Sequence, residues 1–403
     1  MQLKILNHKD LIAEKTTENY QKEFGRLTQE LHSLESYQDW INHFEKLVYW
    51  ELELESLENP SMFEIFESQK IESNLLFRKF IERNYLDWIN NNEGPILSHN
   101  LFKKAVIPKL KEFKPTILLV IDNLRLDQWQ IIREELITSY SIEAEIKYFS
   151  ILPTATQYAR NAIFAGLKPI EIHKNFPQWW RFDHEEGGKN LFESKLLNIN
   201  LNNLKSNNLK NEFFKITNFK NGVKLSNNLK QFRQNNLTTI VYNFVDMLSH
   251  SKTEMEMIKE LAPNDKAYRS LTNSWFSNSP LFEIIKNASS LGFKLVITTD
   301  HGTINVKNPT KIIGDRNTSQ NLRYKTGRSL TTNEKDNLVF KNPHDILLPK
   351  TSINSSFVFA KDDFYLVYPN NYNHFSNYFK NTYQHGGVSM EEMIIPFVIL
   401  DPK

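Results

Sequence analysis

The chain contains no cysteine. Thiolate metal sites, disulfides and cysteine nucleophiles are thereby excluded, and any metal is left to His and carboxylate ligands. Charge of one sign is missing too: 49 Lys and Arg face 47 Asp and Glu, a formal +2. With no global field, a nucleic acid or an anionic membrane would have to be met by a local patch. No stretch approaches the ~20 apolar residues that a bilayer span requires. The N-terminal MQLKILNHKDLIAEKTTENY has no apolar signal-peptide core, so a cytoplasmic protein is expected. Glycine is scarce, 12 in 403 residues. Asn and Lys are abundant, which reads as compositional bias rather than chemistry.

A length of 403 residues suggests about two domains, and the patterning divides the chain accordingly, at 1–112 and 113–403. From Glu18 to Asn91 apolar residues recur at helical spacing: Leu27, Leu31, Leu34, then Trp40/Ile41, Phe44 and Leu47/Val48. After a break at Asn59-Pro60 the period resumes with Leu75, Leu76, Phe80, Ile81 and Trp88. A small helical bundle or a pair of hairpins follows. Its aromatics are read as core, a homodimer surface being the alternative.

Beyond Lys114 the pattern changes to short apolar runs that end in a carboxylate. These are Thr116–Asp122, Thr239–Asp246 and Phe293–Asp300, each with the character of a buried parallel strand. Helical stretches at Gln157–Gly166 and Leu281–Leu291 alternate with them, which predicts an α/β fold with a doubly wound, mostly parallel sheet. The segment Lys189–Leu237 reads as a peripheral excursion, Phe357–Tyr368 as a hairpin, and Ile394–Leu400 as a last strand.

Ligands of such sheets lie beyond the carboxyl ends of the strands, and each of the three strands delivers an Asp there. Asp300-His301-Gly302 brings two metal-binding side chains to one strand end. Asp246 and His250 share a face if the chain turns helical after the second strand. Asp122 ends the first strand, and His385 lies in Gln-His-Gly-Gly. Between them Leu152-Pro-Thr-Ala-Thr156-Gln-Tyr-Ala-Arg is a strand-to-helix junction, where a Thr hydroxyl meets the positive end of a helix. Each piece alone has a bland counterpart: a strand-end Asp is more often a loop or cap residue, Thr154 could be a helix N-cap, and a His in a glycine loop is usually solvated. The ordered set is the specific signal.

That order resembles the alkaline phosphatase superfamily, especially its nucleotide pyrophosphatase/phosphodiesterase and PglZ branches. Within the latter, Ser150–Gly166, Gly314-Asp-Arg-Asn-Thr, Leu322-Arg-Tyr-Lys325 and the stretch around Leu47-Val-Tyr-Trp-Glu are similar to PorX-like regulators of type IX secretion. Such proteins carry a phospho-acceptor receiver domain ahead of the helical region where this chain starts, so control by aspartyl phosphorylation within it is not expected. The resemblance implies two Zn²⁺ ions, one held by Asp122, Asp300 and His301, the other by Asp246, His250 and His385. It implies Thr156 as bridging nucleophile, with Thr154 as fallback, in a phosphodiesterase for oligonucleotides, cyclic ones included. Zinc rather than manganese suits Asp/His ligation.

Arg160 and Asn161, a helical turn beyond Thr156, are expected to meet phosphate oxygens. Arg316, Arg323, Lys325 and Arg328 with Tyr324 form a basic run suited to a nucleotide backbone and a stacked base, the alternative being a solvated loop. Trp179-Trp180 read as core or lid, and His173, His184, His344 and His374 as structural. A phosphomutase is disfavoured by Thr156. The competing class is a signalling adaptor with a structural metal, its helices binding a sigma factor or secretion component.

Overall fold

The computed structural model describes residues 2–56, 60–91, 93–110, 114–204, 209–243, 245–249, 256–315 and 318–403. The chain divides into two compact units, Met1–Asn84 and Tyr85–Lys403. In the first, helices α1 (Gln2–Leu31), α2 (Tyr37–Glu55) and α3 (Pro60–Asn91, running past the boundary) supply the residues that the helical spacing singled out, except Leu34, which lies between α1 and α2. Ser36 starts α2 by accepting from the Asp39 amide at 3.1 Å, while Asp39 accepts from the Ser36 amide at 2.9 Å, a reciprocal capping box. Leu27, Leu31, Trp40, Phe44, Leu47, Phe66, Phe77 and Ile81 are buried, and each such aliphatic or Phe side chain contributes roughly 1.5–3 kcal/mol. Trp40 lies edge-on to Phe77 at 5.3 Å. His43 and Ser73 satisfy each other in this core at 2.9 Å.

The second unit is built on a six-stranded sheet. Its strands are β1 (Thr116–Ile121), β2 (Tyr140–Phe149), β3 (Asn211–Ile216), β4 (Leu237–Tyr242), β5 (Lys294–Thr298) and a C-terminal strand, Ile394–Pro402. Their order is β2, C-terminal strand, β5, β1, β4, β3. β1 pairs parallel with β4 and β5, and β3 parallel with β4, while the C-terminal strand runs antiparallel to β2 and β5. This is the α/β fold with a mostly parallel sheet that the alternating pattern predicts. β1, β4 and β5 are buried at every position, as a strand covered on both faces must be.

Two expectations are corrected. The stretch Lys189–Leu237 is not merely peripheral: it supplies β3, an edge strand whose half-buried positions blur its apolar pattern. Phe357–Tyr368 is not a hairpin. Ser355–Ala360 pairs with Tyr324–Arg328 and Asn337–Phe340, whereas Phe364–Val367 pairs parallel with Asn308–Ile313 in another small sheet. Alternation reports a half-buried strand but not its partner.

Candidate active site

Register brings the carboxylates together. Ile121 of β1 lies beside Tyr242 of β4, and Val120 beside Thr298 of β5, so the residues after these strands share one edge. Asp122 donates its amide to the Tyr242 carbonyl at 2.9 Å. Asn123 then takes a left-handed conformation, φ +63°, and turns the chain so that its amide donates to Asp300 Oδ1 at 3.3 Å. Leu124 N–H donates to Thr299 Oγ1 at 3.0 Å, joining the β1 and β5 loops.

Asp122, Asp300 and His301 are fully buried, and one ligand atom of each lies within 4.8 Å of the others. Among the described residues no other such group occurs. The His301 Nδ1–H donates to the Gly302 carbonyl at 3.0 Å. Since a carbonyl only accepts, the proton resides on Nδ1 and the Nε2 lone pair is free to ligate. Nε2 lies 3.1 Å from Thr156 Oγ1, which is 3.3 Å from Asp122 Oδ1. Burial, and then the neighbouring charge of Asp122, push the Asp300 carboxyl up to about 6. Asp122 is buried equally, but Arg160 at 2.6 Å outweighs that penalty and its carboxyl stays below the usual range. Two carboxylates crowded this way, with an imidazole lone pair between them and the Thr hydroxyl, form a donor set that a divalent cation fits.

A second cluster adjoins the first. His385 Nδ1–H donates to the Thr154 carbonyl at 3.2 Å, which likewise leaves Nε2 to face Asp246 Oδ1, 3.7 Å away. The His385 and His301 rings stack at 4.2 Å. Asp246 lies in a helical turn over 245–249, as the four-residue spacing anticipates. His250 lies outside the described residues, as does Arg316.

The two threonines of the junction separate in role. Thr154 Oγ1 donates to the Gly387 carbonyl at 2.9 Å and accepts from the Gly386 amide at 3.0 Å, bracing the His385 loop. Thr156 opens the helix Thr156–Ala165, whose N-cap is Ala155 with no side-chain cap. Thr154 is therefore not the N-cap. The uncapped first turn leaves backbone N–H groups and the positive helix end beside the Thr156 hydroxyl.

Arg160, Asn161, Arg323 and Lys325, expected to meet phosphate, are each engaged by other groups of the chain. Arg160 is buried, pairs with Asp122 at 2.6 Å and Glu193 at 2.6 Å, and lies 3.7 Å from Asp300. Lys215 reaches Glu193 at 3.0 Å. A helical turn carries Arg160 back toward the strand ends rather than outward, so it backs the carboxylates. Asn161 Nδ2 donates to the Gln157 and Lys189 carbonyls at 2.8 and 3.2 Å. Arg323 forms a two-point pair with Glu392, Nε to Oε1 at 3.1 Å and Nη2 to Oε2 at 2.6 Å. Lys325 donates to the Ser319 carbonyl at 2.9 Å, and burial pushes its ammonium down to about 7. Tyr324 hydrogen-bonds Asp183, and Trp180 packs edge-on against Tyr158 at 5.6 Å, as a core residue. Of the basic run only Arg328 is exposed among the described residues. A charge run in sequence resembles a solvated patch, but here Arg323, Tyr324 and Lys325 are buried in succession.

Glu392 is a functional neighbour that the motif order does not reveal. Its carboxylate also accepts from the Gly387 amide at 2.9 Å and Ser389 Oγ at 2.7 Å, and its carbonyl accepts from the Gly302 amide at 3.1 Å. One turn thus holds both His-bearing loops. The Ser389-x-x-Glu392 spacing is a capping-box signal, the only trace of this in the sequence. Packing is tight here: a Cβ on Gly302 would lie 2.0 Å from the Glu391 carbonyl oxygen. Gly302→Ala is expected to destabilise the protein by about 1–3 kcal/mol, read as a lowered denaturant midpoint at unchanged slope.

Comparison with known proteins places this geometry. No curated protein sequence matches the chain. Among solved structures, murine ectonucleotide pyrophosphatase/phosphodiesterase 5 is similar at 10% identity, covering 72% of this chain and 88% of that one, with a TM-score of 0.47. The human counterpart is 13% identical, covering 71% and 87%, with a TM-score of 0.47. A phosphonoacetate hydrolase of Sinorhizobium meliloti 1021, in complex with phosphonoformate, is 13% identical, covering 71% and 89%, with a TM-score of 0.43. The PorX response regulator linker domain matches residues 10–89. The BREX system PglZ alkaline phosphatase-like domain matches residues 101–400, so this chain belongs to the PglZ family, as a PorX-like member.

Proposed function

We propose that the chain is a metal-dependent phosphodiesterase that cleaves its substrate through a phospho-threonine on Thr156. The observation that carries the reading is the Thr156 hydroxyl at the uncapped start of a helix, 3.1 Å from His301 Nε2 and 3.3 Å from Asp122 Oδ1. Membership of an alkaline phosphatase-like family supports a phosphoesterase-type hydrolase. Asp122, Asp300 and His301 would hold one divalent cation, and Asp246, His385 and His250 a second, with Thr156 between them. Zinc is favoured, since the ligands on offer are imidazole nitrogens and carboxylate oxygens. When bound, the cations supply Lewis-acid stabilisation of the attacking and departing oxygens.

The chain's own groups do the rest. Backbone N–H groups at the helix start and the helix dipole attract the phosphate oxygens. Thr156 Oγ1 gives up its proton to solvent and forms a bond to phosphorus while the bond to the departing alcohol oxygen breaks, and that oxygen takes a proton from solvent. Water then cleaves the phospho-threonine, releasing a phosphomonoester and restoring the hydroxyl. Arg160 holds Asp122 Oδ2, leaving Oδ1 toward Thr156. Oligonucleotides, cyclic ones included, are the proposed substrates. The PorX-type linker supports a setting in signalling and secretion, with a sigma factor or secretion component as partner.

The reading is tested by bis-p-nitrophenyl phosphate hydrolysis before and after chelation. Turnover by zinc-loaded protein is expected to vanish on chelation and return with zinc. Absence of turnover in folded, loaded protein would favour the adaptor reading instead.

A further inference from the structure

The two halves of the centre grow from different elements, Asp122 and Asp300 from the β1 and β5 loops, Asp246 from the turn after β4. Something must set their separation. Asn123 lies between them. Its amide donates to Asp300 Oδ1 at 3.3 Å, and its side-chain Nδ2 donates to Ser249 Oγ at 3.1 Å. Ser249 is three residues beyond Asp246 on the same helical turn. Only a left-handed backbone, φ +63°, directs the amide to one half and the side chain to the other, and Asn is among the few non-glycine residues that adopt it readily.

Ser249 is fully engaged. Its hydroxyl donates to the Val245 carbonyl at 3.2 Å and contacts the Tyr268 hydroxyl at 2.7 Å. With Tyr268 as donor, the oxygen accepts twice and donates once, its whole capacity. Tyr268 stacks on Tyr383 at 4.0 Å and 19°, two residues before His385. Tyr383 donates to Asp265 at 2.8 Å, and Asp265 pairs with Arg125 of the β1 loop at 2.6 Å. The links close into a ring through all three loops. Asn123, Ser249, Tyr268 and Tyr383 are at most 3% exposed, so water cannot replace a lost bond.

We propose that Asn123 is a positioning residue that sets the spacing between the two halves of the metal centre through its bridge to Ser249. The inference rests on the two-metal reading above. It is tested by calorimetric titration of the full chain with zinc, together with ion content by elemental analysis. A His385→Ala variant marks which binding step belongs to the second half. Asn123→Gly keeps the left-handed backbone and the amide bond to Asp300 but removes the bridge, and Ser249→Ala removes it from the other side. Each is expected to bind the first ion with wild-type affinity and the second ~10-fold or more weakly. The double variant is expected to be no weaker than either single one, because both delete the same bond. Wild-type affinity at both steps, or equal weakening of both, overturns the proposal. Should Asn123→Gly not fold, Ser249→Ala alone decides. A wild-type chain that takes up fewer than two ions overturns the two-metal reading itself, and is seen before any variant is made.

Discussion

Thr156→Ala is expected to lower turnover of bis-p-nitrophenyl phosphate by roughly 10³-fold or more, in line with removal of a nucleophile. The variant should still bind metal, because Asp122, Asp300 and His301 do not need the hydroxyl for their mutual geometry: each is anchored elsewhere, through Arg160, the Asn123 amide and the Gly302 carbonyl respectively. Thr156→Ser should keep a substantial part of the rate, since it retains the attacking oxygen. The rival nucleophile, Thr154, has its hydroxyl bound on both sides within the His385 loop, so Thr154→Ser should leave the rate within a few fold of wild type. Steady-state rates of the three loaded variants, with zinc content measured on the same samples, check these expectations together. Full activity in Thr156→Ala would remove the phospho-threonine route.

Glu392→Ala is expected to destabilise the protein by about 3–5 kcal/mol, because it strands the Arg323 guanidinium in the interior. Both partners are fully buried, and the pair has two contacts. The loss also frees the Gly387 amide and Ser389 hydroxyl, so the His385 loop loosens along with the core. For a unit of this size that corresponds to a melting temperature lower by roughly 4–8 °C. Replacing both partners by Met should recover much of the stability, since a buried pair exchanged for apolar volume is often neutral. It should not recover activity, because nothing then holds the Gly387 amide. Melting curves and turnover of the single and double variants separate the two effects. A double variant as unstable as the single one would place the destabilisation in the loop rather than in the stranded charge.

The strands ending in Asp122, Asp246 and Asp300 were legible because a buried parallel strand is a nearly continuous apolar run and its terminal carboxylate breaks the pattern. The helices were legible because period 3.6 recurs within each of them, as from Trp40 to Val48 and from Leu75 to Trp88. β3 was not, because an edge strand is half exposed, and Lys189–Leu237 offered no clean run. The partners of Ser355–Ala360 and Phe364–Val367 were not legible either, since alternation is a local property and pairing is not. Arg160, Arg323 and Lys325 show the same limit for charge. A cation in sequence has no direction, and the structure shows each of these paired or bonded inside the fold.

From its sequence alone the chain has its class, its ordered Asp, Thr and His motifs, and a set of candidate ligands without sulfur, because residue type and period are local. Only the tertiary structure decides which threonine hydroxyl faces His301 and Asp122, which arginine pairs with the carboxylates, and how Asn123, Ser249 and Glu392 tie the loops together. These are choices of orientation among groups as many as 233 residues apart, as for Thr154 and Gly387. Register between parallel strands and the filling of buried hydrogen-bond capacity make them, and neither is written in any single segment.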